Sequence, residues 1–307
     1  MEKEISEVNY YDQAKEIALK QGWVTVSLIQ RRLRLSYGYT LSLVQGLQHR
    51  GIVGPADETG RCRLITGPET AGQDMKTLDL SRQEVTDTLD DFYLANHDRL
   101  ITVRENFGDT HLEGPLLMDL DSYWQQPVKL MIVGQETNGW NCDYDDLQSL
   151  KKTYREFNMG EQYYSSPFWN ITRKIEAIIG IPAFSCAWTN LNRFDYEGGS
   201  VPDNAVPKLS ELDYFVRDEV RIASPDVCLF YTNRKNDSRL AAVFSDLEFQ
   251  EVEGLPYNHF CRLVHPSLPH HTYRTPHPRT IRMRGWESSF LSVMERLLPK
   301  SNIKRET

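Results

Sequence analysis

No apolar run in this chain of 307 residues reaches the ~18–20 residues that a helix needs to cross a bilayer. The opening Met1-Glu2-Lys3-Glu4-Ile5 lacks the basic-then-apolar form of a signal peptide. The expectation is therefore a cytoplasmic, nucleoid-associated protein with no membrane partner. Cysteine is scarce: five residues, at 62, 142, 186, 228 and 261, fall at no paired spacing. That argues against a disulfide framework and against a zinc module, and no metal or other cofactor is expected. Repeats and low-complexity tracts are missing too, so neither a solenoid nor a disordered linker protein fits. Acidic residues are missing from a basic stretch late in the chain. From Arg262 to Arg284 there are five arginines, four histidines and no Asp or Glu, within a chain of net charge −8.

What is present suits a globular protein of two domains. Hydrophobic residues make up 40% of the chain, enough for two cores. Gly67-Pro68 and the small polar residues after it read as a linker. The expected division is a small domain over 1–66, a linker over 67–80 and a larger domain over 81–307.

In the small domain Ala14, Ile17 and Ala18, then Val26, Leu28, Ile29 and Leu33, repeat at helical spacing. Gly22 and Gly51 stand where helices end, and 54–60 reads as a hairpin turn before Arg61-Cys62-Arg63-Leu64-Ile65. From Trp23 to Thr66 six arginines (31, 32, 34, 50, 61, 63) face only Asp57 and Glu58, a net of +4. Residues 9–66 resemble the gamma domain of the FtsK/SpoIIIE DNA translocases, a winged helix. The matching words are Ser27-Leu28-Ile29-Gln30-Arg31-Arg32-Leu33-Arg34, Tyr37, and Arg50-Gly51-Ile52-Val53-Gly54-Pro55-Ala56-Asp57. The resemblance implies binding of double-stranded DNA, with Arg31, Arg32, Arg34, Tyr39 and Arg61 on the phosphates and groove. The family's base-reading positions fall here on Gly38, Tyr39 and Ser42, so its target sequence does not carry over. A winged helix used for protein contacts is the second reading.

In the larger domain, Val128–Val133 and Phe260–Val264 are apolar runs that read as buried strands, and 226–231 and 249–252 as two more. Helices are expected over 81–96, 166–179, 208–223 and 284–298. Ser81 with Glu84 forms a capping box for the first of these. The acidic set Asp87, Asp90 and Asp91 is a solvated helix face. Strand alternating with helix means a parallel sheet covered on both sides. The fold class is α/β: a three-layer α/β/α domain with a central parallel sheet, plus a small winged helix. Two polar loops follow two of the strands, Gly134-Gln135-Glu136-Thr137-Asn138-Gly139-Trp140 and His265-Pro266-Ser267-Leu268-Pro269. Open α/β sheets build their sites on such loops.

Between those loops lie Ser166-Pro167-Phe168-Trp169-Asn170-Ile171 and Cys186-Ala187-Trp188-Thr189-Asn190. In this order and spacing, residues 128–298 resemble the uracil-DNA glycosylase superfamily. The resemblance implies a monofunctional DNA glycosylase that hydrolyses the N-glycosidic bond of a base flipped out of the duplex. Glu136 takes the place of the family's water-orienting Asp, and His265 that of its leaving-group donor. Gln135 and Asn190 line the base, with Asn192 as the substitute for Asn190. The stacking face comes from Phe168, Trp169, Tyr163 or Tyr164. Such groups suit the reaction, which builds positive charge on the sugar and negative charge on the base. No Lys stands in the matched motifs, so water is the nucleophile. The family's iron–sulfur branches need four clustered cysteines, an arrangement this chain lacks.

Three departures bear on the substrate. Glu136 is a methylene longer than Asp, Thr137 replaces Pro, and Asn138 replaces the Tyr that blocks thymine. Asn138-Gly139 is a turn pair that leaves room for a larger base, so uracil alone is not the expected substrate and a cytosine or a modified or damaged pyrimidine fits. The basic stretch supplies Ser267, Arg274 and Arg279 for phosphates and Leu268 as an apolar wedge; a solvated basic loop is the bland alternative. Three functions remain at this point: base excision for repair or for defence against modified phage DNA, a catalytically inactive DNA-binding regulator or sensor on the same fold, and a hydrolase of free nucleosides, which the small domain disfavours.

Overall fold

A computed structural model describes residues 10–33, 35, 40, 43–44, 47–48, 52–57, 60–64, 82–107, 111–140, 147–163 and 165–301. The chain divides into two compact units, Met1–Asp79 and Leu80–Thr307. Arg34, Tyr39, Gly51, the 67–80 linker and the Ser81 cap lie outside the described residues.

The first unit runs α1 (Tyr10–Gln21), β1 (Trp23–Val24), α2 (Val26–Leu33), then helical residues at Thr40, Leu43, Val44, Leu47 and Gln48, and finally β2 (Val53–Ala56) and β3 (Cys62–Leu64). The three strands form an antiparallel sheet in the order β1-β3-β2. Of the seven residues the spacing singled out, Ala14, Ala18 and Ile29 are in the core with Val24, Leu43, Val44, Leu47, Val53 and Cys62, while Ile17, Val26, Leu28 and Leu33 are half-buried. Gly22 ends α1 with φ of 73°, its N–H donating to the Ala18 carbonyl. The β2–β3 turn closes through Asp57, whose carboxylate accepts from the Arg61 N–H. Arg61 lies over the Trp23 ring at 4.6 Å, and Arg31 and Arg32 are exposed at the end of α2.

The second unit is mixed α/β. Two helices lead in, α3 (Arg82–Ala95) and α4 (His97–Glu105), followed by the short β4 (Leu112–Glu113). Then come β5 (Leu130–Gly134), α5 (Leu147–Phe157), α6 (Pro167–Ile179), β6 (Ala187–Asn190) and β7 (Asp195–Tyr196). The chain continues through α7 (Val206–Leu209), α8 (Tyr214–Ala223), β8 (Val227–Phe230), α9 (Asp237–Val243) and β9 (Glu248–Gln250). It ends with β10 (Cys261–Val264), β11 (His271–Arg274), α10 (Pro278–Met283) and α11 (Glu287–Leu297).

Six of these strands make one sheet in the order β6-β5-β8-β11-β10-β9. The first four are mutually parallel, and β10 and β9 join antiparallel. β5 and β8 are buried at every residue, as strands covered on both faces are. The helices pack in groups: α6 against α10 and α11, and α3 against α5 and α8.

Two expectations need correcting. Phe260–Val264 is not the last strand of the parallel set. It is the first arm of a hairpin whose second arm, β11, is the fourth parallel strand. The helix expected over 284–298 is present as α11, Glu287–Leu297, set off from α10 by Gly285 with φ of 70°. The helix expected over 208–223 is instead divided into α7, a single 3-10 turn and α8.

Candidate active site at the carboxyl edge of the parallel strands

The four parallel strands end together, at Gly134, Asn190, Phe230 and Arg274. β5 opens into the Gln135–Trp140 loop, which one buried carboxylate holds. Asp195 Oδ2, on β7, accepts from Thr137 Oγ1 at 2.5 Å and from the N–H groups of Gly139 and Trp140 at 3.0 Å each. Its Oδ1 accepts from the Gly198 N–H. Thr137 thus does by hydrogen bonding what a proline does by ring closure. Asn138 is exposed at the tip of this loop. Gly139, with φ of 80°, supplies the turn that the Asn-Gly pair announced.

Glu136 is held by two donors. Asn192 Nδ2 donates to Oε2 at 3.0 Å and Ser200 Oγ to Oε1 at 2.9 Å. The Gln135 carbonyl accepts from the Asn192 N–H at 2.7 Å, so the loops after β5 and β6 are stitched together.

Asn190 is fully buried at the end of β6. Its carboxamide fills the space above Gly134 that any Cβ there would need, and the Phe168 ring borders the same space. Trp188 Nε1 donates to Asn190 Oδ1 at 3.1 Å, while Asn190 Nδ2 has no partner among the described residues. A buried donor left unmade costs about 1–3 kcal/mol. Its natural complement is an acceptor brought by a ligand.

Phe168 follows Pro167 at the start of α6 and is half-buried. Its ring meets Tyr231 edge-on at 5.3 Å and tilts against His277 at 5.7 Å. Of the four aromatic candidates, Phe168 is at this edge, Trp169 is buried in the core, Tyr163 is exposed and Tyr164 lies outside the described residues.

His277 is the residue that the reading of the sequence missed. It follows β11 and caps the amino end of α10, its Nδ1 accepting from the Arg279 N–H at 3.2 Å. The His277 backbone N–H donates to Asn233 Oδ1 at 3.0 Å, in the loop after β8. Burial, with the Arg279 charge beside it, lowers His277 from its ordinary 6.5 to about 4. The imidazole is therefore neutral at pH 7. With Nδ1 occupied as an acceptor, the proton sits on Nε2. The signal in the sequence was the His271–Arg274 run, short and with β-branched and aromatic residues at its centre, followed by Pro276-His277-Pro278.

His265 lies elsewhere. Because β10 runs antiparallel, its first residue, Cys261, pairs with the last of β11, Arg274. Its end at Val264 therefore reaches the amino edge of the parallel strands, roughly 10 Å along the strand from the carboxyl edge and three strands across from β5. There His265 Nδ1 accepts from the Ser267 N–H at 3.0 Å and its ring meets Phe244. Ser267 is exposed on the same hairpin turn, but Leu268 is 9% exposed and packs in the core, so it has no free apolar tip to insert. Arg274 is 2% exposed and paired with Asp237, so it is no surface phosphate contact. Of the basic stretch, Arg279, Arg282 and Arg284 are exposed on and just after α10, and Met283 between them is 75% exposed.

Among the described residues no group of three or more His, Cys, Asp or Glu is placed to hold a metal ion, and no helix is long and apolar enough to cross a membrane. Known proteins resemble this chain over a stretch of about 59 residues. The chain is 36% identical over 59 residues to the DNA translocase FtsK of Agrobacterium fabrum (strain C58 / ATCC 33970), 37% to that of Mesorhizobium japonicum and 36% to that of Rhizobium meliloti. Each match covers 19% of this chain and 7% of the relative. Residues 6–66 match the family model of the Ftsk gamma domain, which identifies that part of the first unit as such a domain.

Proposed function

We propose that this chain is a DNA glycosylase, a monofunctional hydrolase that binds duplex DNA and releases a flipped base through the carboxyl edge of its parallel sheet. The observation that carries this reading is the set of groups at that edge: a carboxylate fixed by two donors, a neutral imidazole whose proton is on Nε2, and an unpartnered buried amide. Glu136 follows β5 and His277 follows β11, with β8 between them. Two strand spacings put the ends of β5 and β11 about 10 Å apart, and a nucleoside fits between loops that rise from strands so spaced. In the reaction Glu136 faces the sugar as its positive charge grows and holds the attacking water. His277 Nε2–H donates to the departing base, and a neutral donor suits an anion that must leave rather than stay bound. Phe168 gives the base a face to stack on, and Asn190 Nδ2 meets an acceptor on its edge. The packed helix groups agree with three α/β/α layers.

The first unit supports a DNA partner through its likeness to the gamma domain of proteins named DNA translocases. Exposed Arg31, Arg32 and Arg61 supply charge for the phosphates. On the second unit we place the DNA-facing surface at α10, which follows His277 and carries exposed Arg279, Met283 and, just after it, Arg284; Arg282, exposed as well, is paired with Glu287. Met283, rather than Leu268, is then the apolar tip for the gap that a flipped base leaves.

The test is a mass-spectrometric screen for free bases released from genomic, damaged and modified phage DNA. Release by the wild type, lost in Glu136→Gln and His277→Gln, is the expected result. Tight DNA binding with no base released from any substrate would favour a sensor that recognises DNA without cleaving it.

A further inference from the structure

Behind Glu136 stands a chain of partners that the reaction as described does not use. Asp213, at the amino end of α8, holds Arg239 of α9 by two hydrogen bonds, from Nε to Oδ2 at 2.9 Å and from Nη2 to Oδ1 at 2.6 Å. Arg239 Nη2 also donates to Asn192 Oδ1 at 2.9 Å, and Asn192 Nδ2 donates to Glu136 Oε2 at 3.0 Å. Asn192 and Asp213 are buried, and the side chains in the Arg239–Asp213 pair are 11% and 7% exposed. Negative carboxylate, positive guanidinium, neutral amide and negative carboxylate follow in order across segments of chain far apart in sequence.

The polarity of this chain is forced. A guanidinium has five donors and no acceptor, so the Asn192 oxygen must face Arg239 and its NH2 group must face Glu136. Without Arg239 the buried Asn192 oxygen has no donor, and the amide is free to shift in search of one and carry its NH2 group off Glu136. Burial keeps water from doing the same task, and a hydrogen bond to a charge in such surroundings is among the stronger ones.

We propose that Arg239, held by Asp213, is a positioning residue for Glu136: it sets the Asn192 amide so that the carboxylate is fixed in place and keeps its charge at the sugar. The proposal rests on Glu136 being the reacting carboxylate. Arg239 touches no substrate in this scheme.

The test combines a structure with kinetics on Arg239→Met, Arg239→Lys and Asn192→Asp. In a crystal structure of Arg239→Met, Glu136 is expected to move away from Asn192 by more than about 0.5 Å, the tolerance of a preorganised site. This readout needs no substrate, and an unmoved Glu136 overturns the proposal. In base-release assays Arg239→Met should lose about 10–100-fold in kcat, as the loss of a hydrogen bond to a charged group implies, with KM little changed. Arg239→Lys, which keeps a donor, should recover part of the loss. Asn192→Asp, nearly the same shape, places a second carboxylate beside Glu136 and should move the acid limb of the pH–rate profile to higher pH. If Arg239→Met keeps the wild-type rate and Asn192→Asp the wild-type pH profile while Glu136→Gln is inactive, the positioning role falls and the site stands. If Glu136→Gln is itself fully active, the reading of the site has failed instead.

Discussion

The sharpest choice at the scale of single residues is between two histidines. His265 stands in the more suggestive sequence, yet an antiparallel strand carries it to the wrong edge of the sheet. His277 stands at the edge where Glu136 and Asn190 are. Removing an electrostatic donor from such a site costs about 10²–10³-fold in rate. Base release should therefore fall by that factor in His277→Gln and hold within about twofold in His265→Gln. The reverse pattern would return the site to the hairpin turn. Asn190 makes a second statement at this scale. Trp188 holds its oxygen, which leaves only the NH2 group to meet a ligand. A base presenting a carbonyl there gains a hydrogen bond, and one presenting an amino group sets donor against donor. Rates on matched oligonucleotides should thus favour 4-oxo over 4-amino pyrimidines, which narrows the open choice between cytosine and a modified base. Trp188→Phe frees the amide to rotate and should shrink the preference; an unchanged ratio would mean that another group reads the edge.

At the scale of elements, α10 begins at the imidazole that the proposed reaction uses, so its stability and that chemistry would be linked through one proton. His277 is lowered by burial and by Arg279 from 6.5 to about 4. Between those values the unfolded chain binds a proton that the folded one refuses. Unfolding free energy then rises with pH through this window. The contribution of His277 is complete above pH 6.5 and gone below pH 4. His271, lowered by burial and by His270 and Arg262, acts in the same direction. His277→Asn keeps an acceptor at the helix cap but cannot titrate. Urea unfolding at a series of pH values should show a shallower loss from pH 6.5 to 4 in this variant, and an identical slope would mean the imidazole is protonated in the fold.

The same region marks how far the sequence could be read. Runs without a polar break, such as Leu130–Gly134 and Val227–Phe230, declare a strand buried on both faces. The Gln135–Gly139 loop was legible as a turn and Phe168 as a helix start for local reasons, the Asn-Gly pair and Pro167. Strand direction is different, because nothing within Cys261–Val264 states whether it runs with or against its neighbour. That depends on a pairing with His271–Arg274, a run too short and too polar at its ends to read as a strand. Missing one strand reversed the polarity of the other and moved a histidine across the sheet. Asp195 and Arg239 were invisible for a related reason: a buried charge gives no sign in sequence of which loop it will hold.

Across the whole molecule the question is whether two units act on one ligand. Each has its own core, so either may be altered without emptying the other. The chain is acidic overall, with 43 Asp and Glu against 35 Lys and Arg. Binding to DNA must therefore come from local positive surfaces rather than net charge. Two such surfaces are exposed: Arg31, Arg32 and Arg61 on the first unit, and Arg279, Arg282 and Arg284 on the second. Every arginine taken off a phosphate lowers the slope of log affinity against log salt by about 0.9. Replacing Arg31, Arg32 and Arg61 together by Ala in the full chain should reduce the slope by up to about 2.7. It should leave kcat for base release unchanged at saturating DNA, because these residues are not part of the reacting edge. Replacing Arg279 and Met283 should instead weaken productive binding of a flipped base and lower kcat/KM, with a smaller change in slope, since only one charge is removed. The outcome to watch is the first. A slope that does not move when three exposed arginines are gone would mean that the first unit binds something other than DNA, and the second unit would then have to find its substrate alone.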